Sequence, residues 1–133
     1  MKTILVVDDE KDVVRYFKTL FEDNGYRALT AMDGVEAMEK IRAERPDLVT
    51  LDITMPTKTG VTVYRDIKEN EEFKDIPVLI VTGVQPEFRK FISTRRQVPP
   101  PEGYLEKPVA LGDVLAEVQR LIGQAERPAT TPA

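Results

Sequence analysis

The stretch Asp47–Pro56, DLVTLDITMP, is a short apolar run that stops at a carboxylate and is soon followed by a proline. Leu48, Val49 and Leu51 give it the near-continuous apolar character of a strand buried on both faces, which predicts Asp52 at the point where that strand leaves the core. Taken alone, Asp52 could equally be the polar turn residue that ends many strands. The opening of the chain bears on the choice. Thr3–Val7, TILVV, is a second run of the same kind, and it too stops at acids, Asp8, Asp9 and Glu10. Two central strands are thus expected to end in carboxylates.

Between these runs, Val13, Val14, Phe17, Leu20 and Phe21 recur at the spacings of one apolar helix face. Gly25 after Asn24 is a stop signal, and Tyr26–Ala31 reads as a strand. Asp33-Gly34-Val35-Glu36 has the pattern of a capping box opening a second helix, with Val35, Met38 and Ile41 as its apolar stripe. Arg45-Pro46 closes that helix, because the residue before a proline is pushed out of helical space.

Downstream of Asp52, a loop through Met55-Pro56 and Gly60 leads to a third helix carrying Val61, Val63, Tyr64 and Ile67, expected to fray in the charged run Lys68–Lys74. Ile76-Pro77 introduces a strand at Val78–Val81 that ends in Thr82-Gly83. Pro86 suits the first turn of a further helix with Phe88, Phe91 and Ile92 on its buried face, expected to end by about Arg96 ahead of Val98-Pro99-Pro100-Pro101. Tyr104-Leu105 is a very short fifth strand before Lys107-Pro108. Leu111, Val114, Leu115, Val118, Leu121 and Ile122 form the strongest amphipathic pattern, a last helix ending near Gly123 or Gln124.

Strands alternating with helices argue for an α/β fold with a doubly wound, five-stranded parallel sheet and helices on both faces, because parallel connections need crossovers. In such sheets the site lies outside the carboxyl ends of the strands. Asp8, Asp9, Asp52, Thr82 and Lys107 all fall there. Three carboxylates in one pocket repel, each pair by roughly 4 kcal/mol at ~4 Å and an effective dielectric of ~20. A divalent cation would remove that cost.

The chain has 133 residues, enough for one domain with its own core, and contains neither cysteine nor histidine. Thiolate and imidazole ligands, imidazole nucleophiles and disulfides are therefore excluded, so any metal must sit on oxygen, which makes Mg2+ the natural choice. With 23 acidic and 19 basic residues the net charge is -4, against a general nucleic-acid or membrane-surface binder. Met1-Lys2 leads straight into the first strand and no apolar run reaches spanning length, so the chain reads as soluble and cytoplasmic.

The motifs ILVVDDE, LVTLDITMP with Gly60, VLIVTG and YLEKP together resemble the receiver domain of two-component response regulators, over about residues 3–124. The resemblance implies a flavodoxin-like strand order 2-1-3-4-5. It further implies that Asp52 accepts a phosphoryl group from a phosphohistidine, and that Asp9, Asp52 and the main-chain carbonyl of Thr54 bind Mg2+, with Asp8 acting through a metal-bound water. Lys107 and Thr82 would contact the phosphoryl oxygens, and Tyr104 would move with Thr82 as a switch. Such a protein catalyses its own phosphorylation and dephosphorylation without being a conventional turnover enzyme. The partners implied are a sensor histidine kinase or phosphotransfer protein and a downstream protein. The Lys107–Pro108 bond is commonly cis in the family.

Two rival functions fit the residues less well. A magnesium phosphohydrolase using an aspartyl phosphate carries a second acid two residues after the nucleophile, where this chain has Thr54. A nucleotide-binding α/β protein would show a Gly-rich phosphate loop after a strand, and none is present. A third alternative is a phosphorylation-independent interaction module with a vestigial acidic pocket. The expected organisation is a receiver domain at residues 1–124 and a disordered tail or truncated linker at 125–133. The segment from Ser93 to Gly103 departs from the family pattern. Its three prolines should be extended and exposed, and Arg89, Lys90, Arg95 and Arg96 concentrate basic charge beside them, suited to an acidic partner surface.

Overall fold

The computed structural model describes residues 1–52, 60–82, 102–107 and 109–123. Within these, the apolar runs become β1 (Thr3–Val7), β2 (Arg27–Ala31), β3 (Leu48–Leu51), β4 (Val78–Thr82) and β5 (Gly103–Glu106). Every neighbouring pair is parallel, and the order is β2-β1-β3-β4-β5, the doubly wound order expected. Four helices are described: α1 (Lys11–Asp23), α2 (Gly34–Glu44), α3 (Gly60–Lys68) and α4 (Leu111–Ile122).

Period-two alternation along the strands divides the core into two layers. Leu5, Val7, Val49, Leu51 and Ile80 pack with α2 and α3 through Met38, Ile41, Tyr64 and Ile67. Ile4, Val6, Leu48, Leu79 and Val81 pack with α1 and α4 through Val14, Phe17, Phe21, Val114 and Val118. β1 and β3 are buried at every position, as strands covered on both faces must be.

Local chemistry sets where the elements begin and end. Asp33 caps α2 by accepting the Glu36 N–H at 2.8 Å, while the Glu36 carboxylate accepts the N–H of Met32 at 2.7 Å, one residue earlier than in a strict capping box. Arg45, next to Pro46, closes the helix with a left-handed φ of 44°. After α1, Gly25 takes a φ of 87°, a conformation that costs a side-chain-bearing residue energy.

Four expectations need correction. Val35 is 53% exposed; the buried stripe of α2 is Gly34, Ala37, Met38 and Ile41, and Val35 lies one position, about 100°, off it. Leu111 is 41% exposed in the first turn of α4, so Val114 and Val118 form its buried centre. β2 starts at Arg27, and Tyr26 is instead buried edge-on to Phe21 with its hydroxyl donating to the Gly123 carbonyl at 2.9 Å. β5 is longer than the pair Tyr104-Leu105, because Gly103 joins it at a spot where a Cβ would come within 2.8 Å of Leu79 Cδ1. Thr54, the helix expected from Pro86, the segment Pro99–Pro101 with its basic neighbours, the Lys107–Pro108 bond and the tail lie outside the described residues.

Candidate functional site

The register of the sheet brings the predicted acids together. Val7 stands opposite Leu51, so Asp8 and Asp52 are the next residues on adjacent parallel strands. Both remain on the backbone ladder: the Asp52 N–H donates to the Val7 carbonyl at 3.0 Å, and the Asp8 N–H to the Ala31 carbonyl at 3.1 Å. Two carboxylates are thereby fixed side by side at the carboxyl edge, with side chains only 4% and 1% exposed.

β5 supplies the counter-charge. Thr82 pairs with Glu106, and the next residue, Lys107, sends its ammonium back across the sheet end. Its Nζ donates to Asp8 Oδ2 at 2.9 Å, lies 3.3 Å from Glu10 Oε1 and stands 3.5 Å from Asp52 Oδ2. Asp8 Oδ1 meanwhile accepts the N–H of Glu10 at 2.9 Å. Thr82 belongs to β4, with its side chain outside the described residues, and Tyr104 is partly buried against the core layer of α2 and α3.

Asp8, Asp9, Glu10 and Asp52 each offer a carboxylate oxygen within 4.8 Å of the others, Asp8 and Asp52 from inside and Asp9 and Glu10 from the exposed rim. Among the described residues, three of these four carboxylates lie against one ammonium, that of Lys107. The strain appears in the titration of Asp8: burial pushes its carboxyl above the ordinary aspartate value, the Asp52 charge adds to this, and the bonds from Glu10 N–H and Lys107 only partly oppose it. Burial alone would pull Lys107 down, yet the bond to Asp8 and the charges of Asp8 and Asp52 together hold it above the usual lysine value. An all-oxygen, anion-rich donor set of this kind fits a hard divalent cation such as Mg2+.

Glu10 is the member of this group that sequence reasoning noted as an acid and did not place in the site. The signal was present in the DDE run, but its contact is with a lysine 97 positions away. Beside the acids, a groove of about 540 Å³ runs between α1 and α4, lined by Glu10, Val13, Tyr16, Phe17, Lys107 and Leu111 among others.

Comparison with known proteins gives a consistent result. Residues 4–119 match the family described as response regulator receiver domain. The chain is 33% identical over 125 residues to the alkaline phosphatase synthesis transcriptional regulatory protein PhoP of Bacillus subtilis, covering 94% of this chain and 50% of that protein. It thus spans half the length of that relative. It is 29% identical over 124 residues to the polar-differentiation response regulator DivK of Brucella anthropi, covering 93% and 98%. Among solved structures, the chemotaxis protein CheY4 of Vibrio cholerae superposes with a TM-score of 0.80 at 30% identity, covering 91% of this chain and 98% of that one. No described helix is long and apolar enough to cross a membrane. The fold, the strand-end acids and the match over most of its length together show that this chain belongs to the response regulator receiver domain family of two-component signalling.

Proposed function

We propose that this chain is a phosphoryl-accepting switch in which Asp52 is the phosphoacceptor, Mg2+ is the cofactor and the donor is a phosphohistidine on a sensor kinase or phosphotransfer protein. The observation that carries the reading is the position of Asp52: a buried carboxylate at the carboxyl edge, 3.5 Å from an ammonium and inside a group of four carboxylates. The carboxylate attacks the donor phosphorus, a P–O bond forms, the P–N bond breaks, and the imidazole nitrogen leaves with the electron pair. Lys107, 3.5 Å from Asp52 Oδ2, would offset charge that moves onto the phosphoryl oxygens.

Asp9, Asp52 and the main-chain carbonyl of Thr54 would hold the ion, with Asp8 acting through water. Bound there, the ion would supply neutralisation of the carboxylate cluster and of the phosphoryl oxygens. Asp8, held by Lys107 at 2.9 Å, orients the lysine. Thr82 and Tyr104 would read the modified state and alter the surface seen by a downstream protein. The domain so defined spans residues 1–124, with 125–133 as tail or linker.

Acetyl phosphate with Mg2+ tests this directly. Intact-protein mass spectrometry should show the gain of one phosphoryl group, mapped to Asp52, and Asp52→Asn should remove it. Full labelling of the Asn variant would assign the nucleophile elsewhere. The alternative of a vestigial pocket would show itself as no labelling of the wild type.

A further inference from the structure

Lys107 has three N–H bonds and three carboxylate neighbours, and the three are unlike. Asp8 and Asp52 are buried and held by the backbone ladder, whereas the Glu10 side chain is 62% exposed and touches the lysine from the rim. Glu10 precedes α1 as its N-cap residue, yet its side chain makes no capping bond. Glutamate is not among the residues that ordinarily cap a helix, so its carboxylate is left to find another partner. Here it turns to Lys107, at the mouth where the acid cluster meets the groove beside it.

We infer that Glu10 is a specificity-determining residue: a displaceable counter-ion on Lys107 that discriminates against small, free anionic phosphodonors. The inference rests on the reading of Asp52 as phosphoacceptor. A phosphoryl group arriving at Asp52 competes for the ammonium of Lys107 with Glu10, the exposed carboxylate on the rim. That carboxylate must also be passed by the donor. With a divalent cation bound, the four carboxylates and one lysine among the described residues sum to one excess negative charge; with Glu10 neutralised, none remains. A dianion approaching alone therefore meets net repulsion that a protein-borne phosphohistidine, held by a docking surface, offsets through its other contacts.

The experiment is the rate of Asp52 labelling by acetyl phosphate at saturating Mg2+, in wild type, Glu10→Gln and Glu10→Asp. In the step followed, a carboxylate oxygen of Asp52 bonds to phosphorus while the phosphorus–acetate oxygen bond breaks and acetate leaves with the electron pair. Glu10→Gln is expected to raise the second-order rate constant about threefold to tenfold at low ionic strength. That gain should shrink as salt screens the pocket, and Glu10→Asp, which keeps the charge, should stay near wild type. Calorimetric titration of the metal-free proteins should show Mg2+ affinity lowered by no more than about tenfold for Glu10→Gln, since the charge that repels a dianion attracts a dication to a similar degree. Equal labelling rates for Glu10→Gln and wild type, a gain indifferent to salt, or a larger loss of Mg2+ affinity would each overturn the inference while leaving Asp52 in place. No labelling of the wild type would overturn the reading of Asp52 and this inference with it.

Discussion

Lys68 and Lys107 are held by carboxylates at the two opposite ends of the same parallel sheet, and they are held differently. At the amino edge, Lys68 Nζ donates to both oxygens of Glu102 at 2.8 and 2.9 Å and to the carbonyls of Ile76 and Lys74 at 3.0 and 3.2 Å. Glu102 Oε1 also accepts the N–H of Val78, the first residue of β4. One positive charge meets one negative charge, the neutral acceptors complete the shell, and the lysine side chain is 1% exposed. At the carboxyl edge, Lys107 meets three carboxylates and remains 21% exposed. The balanced site ties α3, the loop after it and the start of β5 together. Among the described residues, the unbalanced one holds anionic charge in surplus, which a further cation would relieve.

The largest effect is expected where the balance is complete. Lys68→Met should destabilise the protein by about 2–3 kcal/mol, because it strands two carbonyls and a carboxylate; Glu102, 37% exposed, recovers some hydration, which keeps the loss below that of a fully buried pair. Urea unfolding measures the loss, and Mg2+ titration should show affinity unchanged. A tenfold loss of metal affinity would mean that the two edges are coupled through β5, and the contrast drawn above would fail.

The unbalanced site should respond in the opposite direction. Asp52→Asn removes one buried carboxylate from a cluster that, among the described residues, meets a single ammonium, and should stabilise the metal-free protein by about 1–2 kcal/mol. Mg2+, bound to the native wild type as proposed, should narrow or reverse the difference by mass action. A metal-free Asn variant less stable than wild type would show that Lys107 already neutralises the pocket.

A smaller effect belongs to Asp8, whose folded-state carboxyl is raised from the ordinary value of 3.8, chiefly by burial and further by Asp52. The native state then binds this proton more tightly than the unfolded chain. Its contribution to stability is greatest with the proton on, and falls as pH rises from 3.8 through the raised value. Lys107 has the other window: raised above 10.5, it contributes fully below that value and loses its contribution as pH climbs through the folded one. The difference between wild type and Asp8→Asn, followed in metal-free buffer across the acid range, isolates the first term. Other carboxylates, such as Glu117, lowered by its bond to Arg120, act with the opposite sign and cancel in that difference. A difference rising with pH would contradict burial as the governing cause.

The carboxyl edge was legible in the sequence because strand ends are. An apolar run that stops at an acid places that acid without any knowledge of its partners, so Asp8, Asp52 and Lys107 could be collected from three separate runs. Lys68 was not legible, since a charged run after a helix reads as solvated and its partner Glu102 is 34 positions away. Glu10 failed for the same reason at the other edge. The slips at Val35 and Leu111 are of another kind: each is an apolar residue near a helix start, where a single position of rotation or one turn beyond the sheet separates core from solvent. Tyr26 follows the Gly25 stop and so reads as the start of the strand, but it packs edge-on against Phe21 ahead of β2.

A third lysine sharpens the comparison at the small end. Lys18 Nζ lies 2.9 Å from Glu22 Oε2, the same distance that separates Lys107 from Asp8 and close to that of Lys68 from Glu102. Both of its side chains are 46% exposed on the surface of α1, one helical turn apart. Water competes for each charge and salt screens the pair, so distance alone says nothing about its worth. Glu22→Gln should change stability by no more than about 0.5 kcal/mol, and 1 M salt, where the screening length is about 3 Å, should erase that difference. The same salt should leave the loss in Lys68→Met nearly intact, because the ions cannot reach a lysine closed off by protein. If the two variants lost their differences together as salt was added, burial would not be what separates the structural lysine from the surface one, and the surplus of carboxylates at Lys107 would have to be judged by charge count alone.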